Sequence, residues 1–138
     1  NYCPYVGHYL ERLKQIQQEF SSFGFTLIGV NGSAANQDLV ESFDRMKGFA
    51  QKHELNFPYL WDSTQDVTRS FGAMTTPMCF LIDSEGRVRY RGQIDDNPEN
   101  PEAVQVQYLR SAIASLFGNN NIDITETEPI GTKITWRH

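Results

Sequence analysis

The chain has 138 residues, 39% of them hydrophobic and 21% charged, a size and balance that suit one domain able to bury about two-thirds of its unfolded surface. A net charge of −5 without a cluster of Lys and Arg argues against a nucleic-acid partner, and no apolar run approaches the roughly 18 residues of a membrane span. Two cysteines, Cys3 and Cys79, make neither a disulfide framework nor a zinc-ligand pattern, so no metal or cofactor is expected; the compartment stays open, with a reducing, cytoplasmic one favoured.

The chain opens at Asn1 without an initiator Met, and upstream sequence is expected to be missing. Pro4 suits the first position of a helix, where its absent N–H costs nothing. From 9 to 20, Leu10, Leu13, Ile16 and Phe20 recur at helical spacing. Gly24 separates this helix from Phe25-Thr26-Leu27-Ile28-Gly29-Val30, a run suited to a buried strand that Asn31-Gly32 ends at a turn. A second helix over 37–53 places Phe43, Met46, Phe49 and Ala50 on one face, and 57–61 forms a short strand. Ser63-Thr64-Gln65-Asp66 resembles a capping box for a short helix through Val67 and Phe71 that stops at Gly72. Strands at 78–82 and 88–94 flank Asp83-Ser84-Glu85-Gly86, a loop suited to a β-hairpin. Asn100 and Pro101 start the last long helix, with Val106, Leu109, Ile113 and Leu116 as its apolar stripe and Gly118 as its cap. The polar remainder reads as loop. One domain over 1–118, with a tail over 119–138 packing on it or extending it, follows. Helices alternating with buried strands, then a hairpin and a final helix, specify an α/β fold with a mixed central sheet and helices on both faces.

Cys3 sits just ahead of a helix, where partial positive charge and free N–H donors stabilise a thiolate, the reactive form. Cysteine is by default a buried structural residue, which is the reading for Cys79 inside an apolar strand; the helix-start placement separates Cys3 from it. Val6 stands where a Cys-x-x-Cys motif would have its second cysteine, so dithiol exchange within this motif is excluded. Pro77 leads into a strand, and a cis Thr76–Pro77 bond would turn the backbone toward a neighbouring site. If Pro77 abuts Cys3, Cys79 lies two strand residues further on, about 7 Å, too far for a comfortable disulfide. His8, five residues after Cys3, shares no helical face with it and reads as surface. Trp61 and Asp62 end a strand where a site would be lined, although a tryptophan there is more often core.

In this order, Cys3-Pro4-Tyr5-Val6, Phe57-Pro58-Tyr59-Leu60, Thr76-Pro77, Tyr90-Arg91-Gly92 and the Gly-x-x-Ile-x-Trp tail of Gly131 to Trp136 resemble the thioredoxin-fold superfamily. Within it they are most similar to the peroxiredoxin-like branch, the alkyl hydroperoxide reductase/thiol-specific antioxidant or redoxin group, and the resemblance covers nearly the whole chain. It implies a thioredoxin-like three-layer sandwich with an extra strand and helix between its halves, whose first strand is missing from this chain or supplied by another. It also implies a thiol-dependent, antioxidant-type oxidoreductase with Cys3 as nucleophile and Pro4, Thr76, Pro77 and Trp61 shaping the substrate site. The implied partners are an external thiol reductant and a thiol, disulfide or peroxide substrate; a homodimer is left open. Peroxiredoxins proper carry a Thr three residues before the reactive cysteine, a position ahead of Asn1, and an Arg near the slot that Pro77 fills. Losing that Arg weighs against efficient peroxide activation, and Arg69, Arg89 and Arg91 read as solvated surface charges. Relatives often carry a tail cysteine near Thr132, so this chain keeps only a one-cysteine mechanism. Two alternatives follow: a one-cysteine peroxidase whose Cys3 sulfenic acid is restored by an external thiol, and a redox-inactive binding module that retains the fold.

Overall fold

The computed structural model describes residues 3–33 and 39–136. Helix α1 (Pro4–Phe20) has Cys3 as its N-cap residue and Pro4 in its first turn, and buries Tyr9, Leu10, Ile16 and Phe20. A one-turn 3₁₀ helix and Gly24, at φ 90°, reverse the chain, a conformation open to glycine because it lacks a Cβ. Strand β1 (Gly29–Asn31) then pairs in parallel with β2 (Tyr59–Trp61). The strand expected over 25–30 is therefore shorter and later. Gln17 takes its first residues out of any ladder: its amide oxygen accepts from Leu27 N at 2.6 Å and its Nε2 donates to the Phe25 carbonyl at 3.5 Å. Nor is the run buried, since Ile28 and Val30 are 54% and 47% exposed. Helix α2 (Leu39–Lys52) lies on β2, with Phe43 stacked on Trp61 and Phe49 against Tyr59. The expected start of this helix at Gln37 lies outside the described residues.

Helix α3 (Asp66–Phe71) is capped differently from the expected box. Asp62 accepts from both the backbone N–H and the hydroxyl of Thr68, each at 2.7 Å, while Thr64 accepts only a 3.4 Å bond from Asp66 N. Burial alone would raise the Asp62 pKa, but the hydrogen bonds from Thr68, together with those from the Val67 and Asp66 backbone, outweigh it and hold the carboxyl below its usual range. Strand β3 (Thr75–Thr76) leads into Pro77, and the Thr76–Pro77 peptide is cis. Strands β4 (Cys79–Ile82) and β5 (Val88–Gly92) form the expected antiparallel hairpin, whose turn Asp83 organises by accepting from Glu85 N and Arg87 N. Successive side chains of a strand face opposite ways. Leu81 accordingly joins Tyr9, Ile16, Tyr90, Leu109 and Ile113 in the core between the hairpin, α1 and α4, whereas Phe80 meets Phe71 of α3, ring centres 5.0 Å apart. Helices thus cover both faces of β4.

Helix α4 (Tyr108–Phe117), with Gln107 instead of Asn100 as its N-cap residue, starts seven residues later than the capping signals suggested. Asn100 and Pro101 do initiate a turn, with Asn100 Oδ1 accepting from Glu102 N, but it is a single 3₁₀ turn. Asp96 then holds the following residues extended: its carboxylate accepts from Gln105 N, and its N–H donates to the Val106 carbonyl. Val106 leaves the predicted stripe and is 37% exposed. The tail is likewise more than a loop. Thr125 and Thr127 exchange backbone bonds with Arg91 of β5, and β6 (Thr132–Lys133) pairs antiparallel with β3, setting Thr76 opposite Thr132.

The fold is α/β and thioredoxin-like, and among the described residues the strands pair as three two-stranded ribbons, β1–β2, β3–β6 and β4–β5, instead of one continuous mixed sheet. Among the described residues no strand precedes α1, and β1 and β4 have no common partner. A cleft of about 1070 Å³ is lined by residues of both segments, among them Ile28, Val30, Phe80 and Ile82, and by Cys3 and Pro77. No helix among the described residues is long and apolar enough to cross a membrane.

Candidate active site around Cys3

Cys3 belongs to the site because α1 begins there. As N-cap residue it has extended backbone angles (φ −80°, ψ 117°), and its carbonyl accepts from Val6 N and Gly7 N. The first turn carries no acidic residue, so no carboxylate offsets the positive end of the helix dipole beside the sulfur. Cys3 is half-buried. Its Sγ donates to the Thr76 carbonyl oxygen at 3.1 Å and lies 3.5 Å from Thr132 Oγ1.

Those two contacts come from opposite members of one cross-strand pair. The tail reaches this position because Gly131 has no side chain: a Cβ there would lie 3.1 Å from Pro77 Cδ and overlap the Thr76 carbonyl oxygen. Beyond β6 the tail is held at several points. Ile134 N donates to the Met74 carbonyl at 3.0 Å. Gln65, 1% exposed, donates through Nε2 to the carbonyls of Gly32 and Thr135 at 2.7 and 2.8 Å, and Arg69 lies over the Trp136 ring.

Of the residues singled out from sequence, Cys3 and Thr76 touch, and Pro77 follows Thr76 on the same wall of the cleft. Trp61 lines the cleft too, but its ring is engaged with Phe43 of α2. Pro4 is exposed at the helix start. His8 is exposed, edge-on to Tyr5. The three arginines are engaged elsewhere, Arg69 with Trp136, Arg89 with Asp83 at 3.3 Å and Arg91 with Glu126 at 2.9 Å. Cys79 is chemically separate: both cysteines are free, and its sulfur donates to the Gly92 carbonyl at 3.3 Å. Burial pushes the Cys79 thiol up to about 12, where it stays protonated and unreactive.

Two groups of residues escaped the sequence reading. One is Thr132 as a neighbour of the sulfur, whose signals were its place in the Gly-x-x-Ile-x-Trp tail and the resemblance to relatives that often carry a tail cysteine near it. The other fixes the orientation of α1. Arg12 places Nη1 at 3.0 and 2.8 Å from the two carboxylate oxygens of Asp95 and donates to the carbonyls of Asn97 and Pro98. Tyr9 OH donates to the same carboxylate at 3.0 Å; burial first, then the Asp95 charge, raises its pKa well above the ordinary phenol. The Tyr9–Arg12 spacing of three puts both on one helical face, but nothing local in the sequence pairs them with a residue more than 80 positions on.

Among the described residues no group of His, Cys, Asp and Glu is arranged to hold a metal ion. Chemically, the site offers one half-buried sulfur, one carbonyl acceptor and one hydroxyl, at a helix N-terminus on the wall of an apolar cleft.

Comparison with known proteins places the fold and the family. The structure superposes on that of a hypothetical protein from Sinorhizobium meliloti 1021 with a TM-score of 0.88 and 31% identity, covering 99% of this chain and 75% of that one. It superposes on an uncharacterized conserved protein from Geobacillus kaustophilus with a TM-score of 0.89 and 30% identity, covering 99% of this chain and 73% of that one. No curated protein matches. The AhpC/TSA family matches residues 1–91, which include Cys3, Thr76 and Pro77, and the chain belongs to that family.

Proposed function

We propose that the protein is a thiol-dependent oxidoreductase of antioxidant type in which Cys3 is the single nucleophile. The observation that carries this reading is the contrast between the two cysteines: Cys3 half-buried at a helix start beside Thr76 and Thr132, Cys79 with its sulfur turned inward onto a carbonyl. The Cys3 thiolate attacks one sulfur of an external disulfide. A Cys3–substrate S–S bond forms, the substrate S–S bond breaks, and the released thiolate takes a proton from water. With valine at position 6 and threonine at 132, an external thiolate attacks the mixed disulfide, expels Cys3 and forms the new external disulfide.

A second reading, with peroxide as substrate, is favoured by the Thr132 hydroxyl beside the sulfur. There the O–O bond breaks as an S–O bond forms, water leaves, and two external thiols return the sulfenic acid to the thiol as they become a disulfide and water is released. It ranks second because Arg69, Arg89 and Arg91 are committed elsewhere, so none of these three is aimed at the developing charge.

Stopped-flow reaction with a small aromatic disulfide and with hydrogen peroxide, followed by mass spectrometry, tests both. Rapid labelling of Cys3 alone, and glutathione-dependent turnover lost in Cys3→Ser, are expected with the disulfide. Saturable oxidation by peroxide that outpaces the disulfide would promote the peroxidase. A wild-type Cys3 no faster than in the unfolded chain would leave a redox-inactive binding module.

A further inference from the structure

We infer that Thr132 is the positioning residue of Cys3: its hydroxyl donates to the sulfur once the thiol has lost its proton, so the C-terminal strap is a working part of the site. The inference rests on the proposed role of Cys3 as nucleophile.

A thiol has one proton, and the shorter contact, 3.1 Å to the Thr76 carbonyl, uses it. When that proton leaves, the sulfur becomes purely an acceptor, and the Thr76 oxygen has no hydrogen to return. Thr132 Oγ1, 3.5 Å away, differs because a hydroxyl both donates and accepts and can rotate to suit its partner. Among the described residues it is the one side chain with a hydrogen-bonding contact to this sulfur. A bond to a charged acceptor is stronger than one between neutral groups, so the interaction favours the thiolate over the thiol.

The placement of the hydroxyl is dictated by the strap. Antiparallel pairing sets Thr132 opposite Thr76, the absence of a Cβ at Gly131 lets the strap close on Thr76-Pro77, and the bonds from Ile134 N to Met74 and from Gln65 to Thr135 hold it from behind. The β-branched side chain has a restricted χ1, which aims Oγ1 with little rotamer freedom to lose. An aliphatic residue at this position would pair with Thr76 equally well but could not donate.

The test is the rate of Cys3 alkylation by iodoacetamide against pH for wild type, Thr132→Val and Thr132→Ser, with each site identified by mass spectrometry. Thr132 is exposed, so the near-isosteric valine is expected to fold, and thermal melting checks that it does. In Thr132→Val the rate at neutral pH should fall roughly tenfold, the lower end for a hydrogen bond to a charged group. The whole pH profile should move to higher pH and converge on the wild-type rate in strong alkali, while Thr132→Ser stays within about twofold of wild type. A merely structural role would lower the plateau without moving the profile. An unmoved profile in Thr132→Val beside a reactive wild type overturns this inference and leaves the role of Cys3 standing. A wild-type Cys3 no more reactive than in the unfolded chain overturns both.

Discussion

Gly131 lies against Thr76 so closely that a Cβ on it would overlap the Thr76 carbonyl oxygen and come within 2.8 Å of the carbonyl carbon. The obstacle is backbone, which cannot swing aside as a long side chain does. The contact therefore couples the C-terminal strap to the residue whose carbonyl accepts the hydrogen bond of the Cys3 thiol.

Gly131→Ala should separate the β3–β6 pair, at a cost of about 1–3 kcal/mol, the usual range for forcing an extra carbon into a packed contact. Thermal melting gives the loss, and hydrogen exchange at Ile134 N, bonded to the Met74 carbonyl, should accelerate with it. Unchanged protection at Ile134 would mean that the strap does not depend on this contact.

The substitution Thr132→Cys puts a second sulfur where a hydroxyl now stands 3.5 Å from Sγ of Cys3. A bond of about 2.05 Å asks for only a small further approach, so mild oxidation should join the introduced thiol to Cys3, leaving Cys79 as the one thiol titrated after unfolding. Three titratable thiols after oxidation would place the strap away from the sulfur.

Arg12 and Asp95 form a largely buried ion pair, their side chains 12% and 6% exposed. Removing one partner leaves the other charge with little solvent to compensate it. Asp95→Ala is expected to destabilise the fold by about 3 kcal/mol in a denaturant titration. Because α1 carries Cys3 at its start, the same variant should also lose glutathione-dependent turnover, whereas breaking the exposed Arg87–Glu85 pair should change neither.

Stability should fall in alkali. The Cys79 thiol is raised to about 12 by burial, whereas an unfolded thiol titrates near 8.5. Between those values the unfolded chain releases this proton and the folded chain keeps it, so stability present below pH about 8.5 is lost as pH rises toward 12, at no more than about 1.4 kcal/mol per pH unit for this one group. Tyr59, raised to about 12, and Tyr9 and Tyr90, raised further, join from about pH 10, where a free phenol titrates. Urea titrations from about pH 7 to about pH 10 should show the decline, with a flatter slope in Cys79→Ala above about pH 8.5. An equal slope in both proteins would remove Cys79 as its source.

Several elements were legible in the sequence because their causes are local. The stripe of α1, Pro4 at its start and the Asp83-to-Gly86 turn depend on neighbours a few residues away. Where a side chain from outside the element competed, local signals misled. Gln17 claimed the backbone of Phe25 and Leu27, Asp62 bonded the Thr68 N–H in place of the capping box expected over Ser63 to Asp66, and Asp96 kept 104–107 extended where a helix was expected. Each is a side-chain-to-backbone bond, and such bonds leave no periodicity to read.

The same division runs through the site. The sequence alone determined that a cysteine stands before a proline at a helix start, that valine occupies the position of a second motif cysteine, and that Thr76-Pro77 precedes an apolar strand, because covalent order and turn-scale geometry suffice for these. Only the tertiary structure decided that Thr132, 129 residues from Cys3, rests against its sulfur, that the sulfur of Cys79 is turned onto a carbonyl, and that three arginines are spent on other partners. Those outcomes depend on strand register and on one missing Cβ at Gly131, which are settled when distant segments pack and carry almost no signature along the chain.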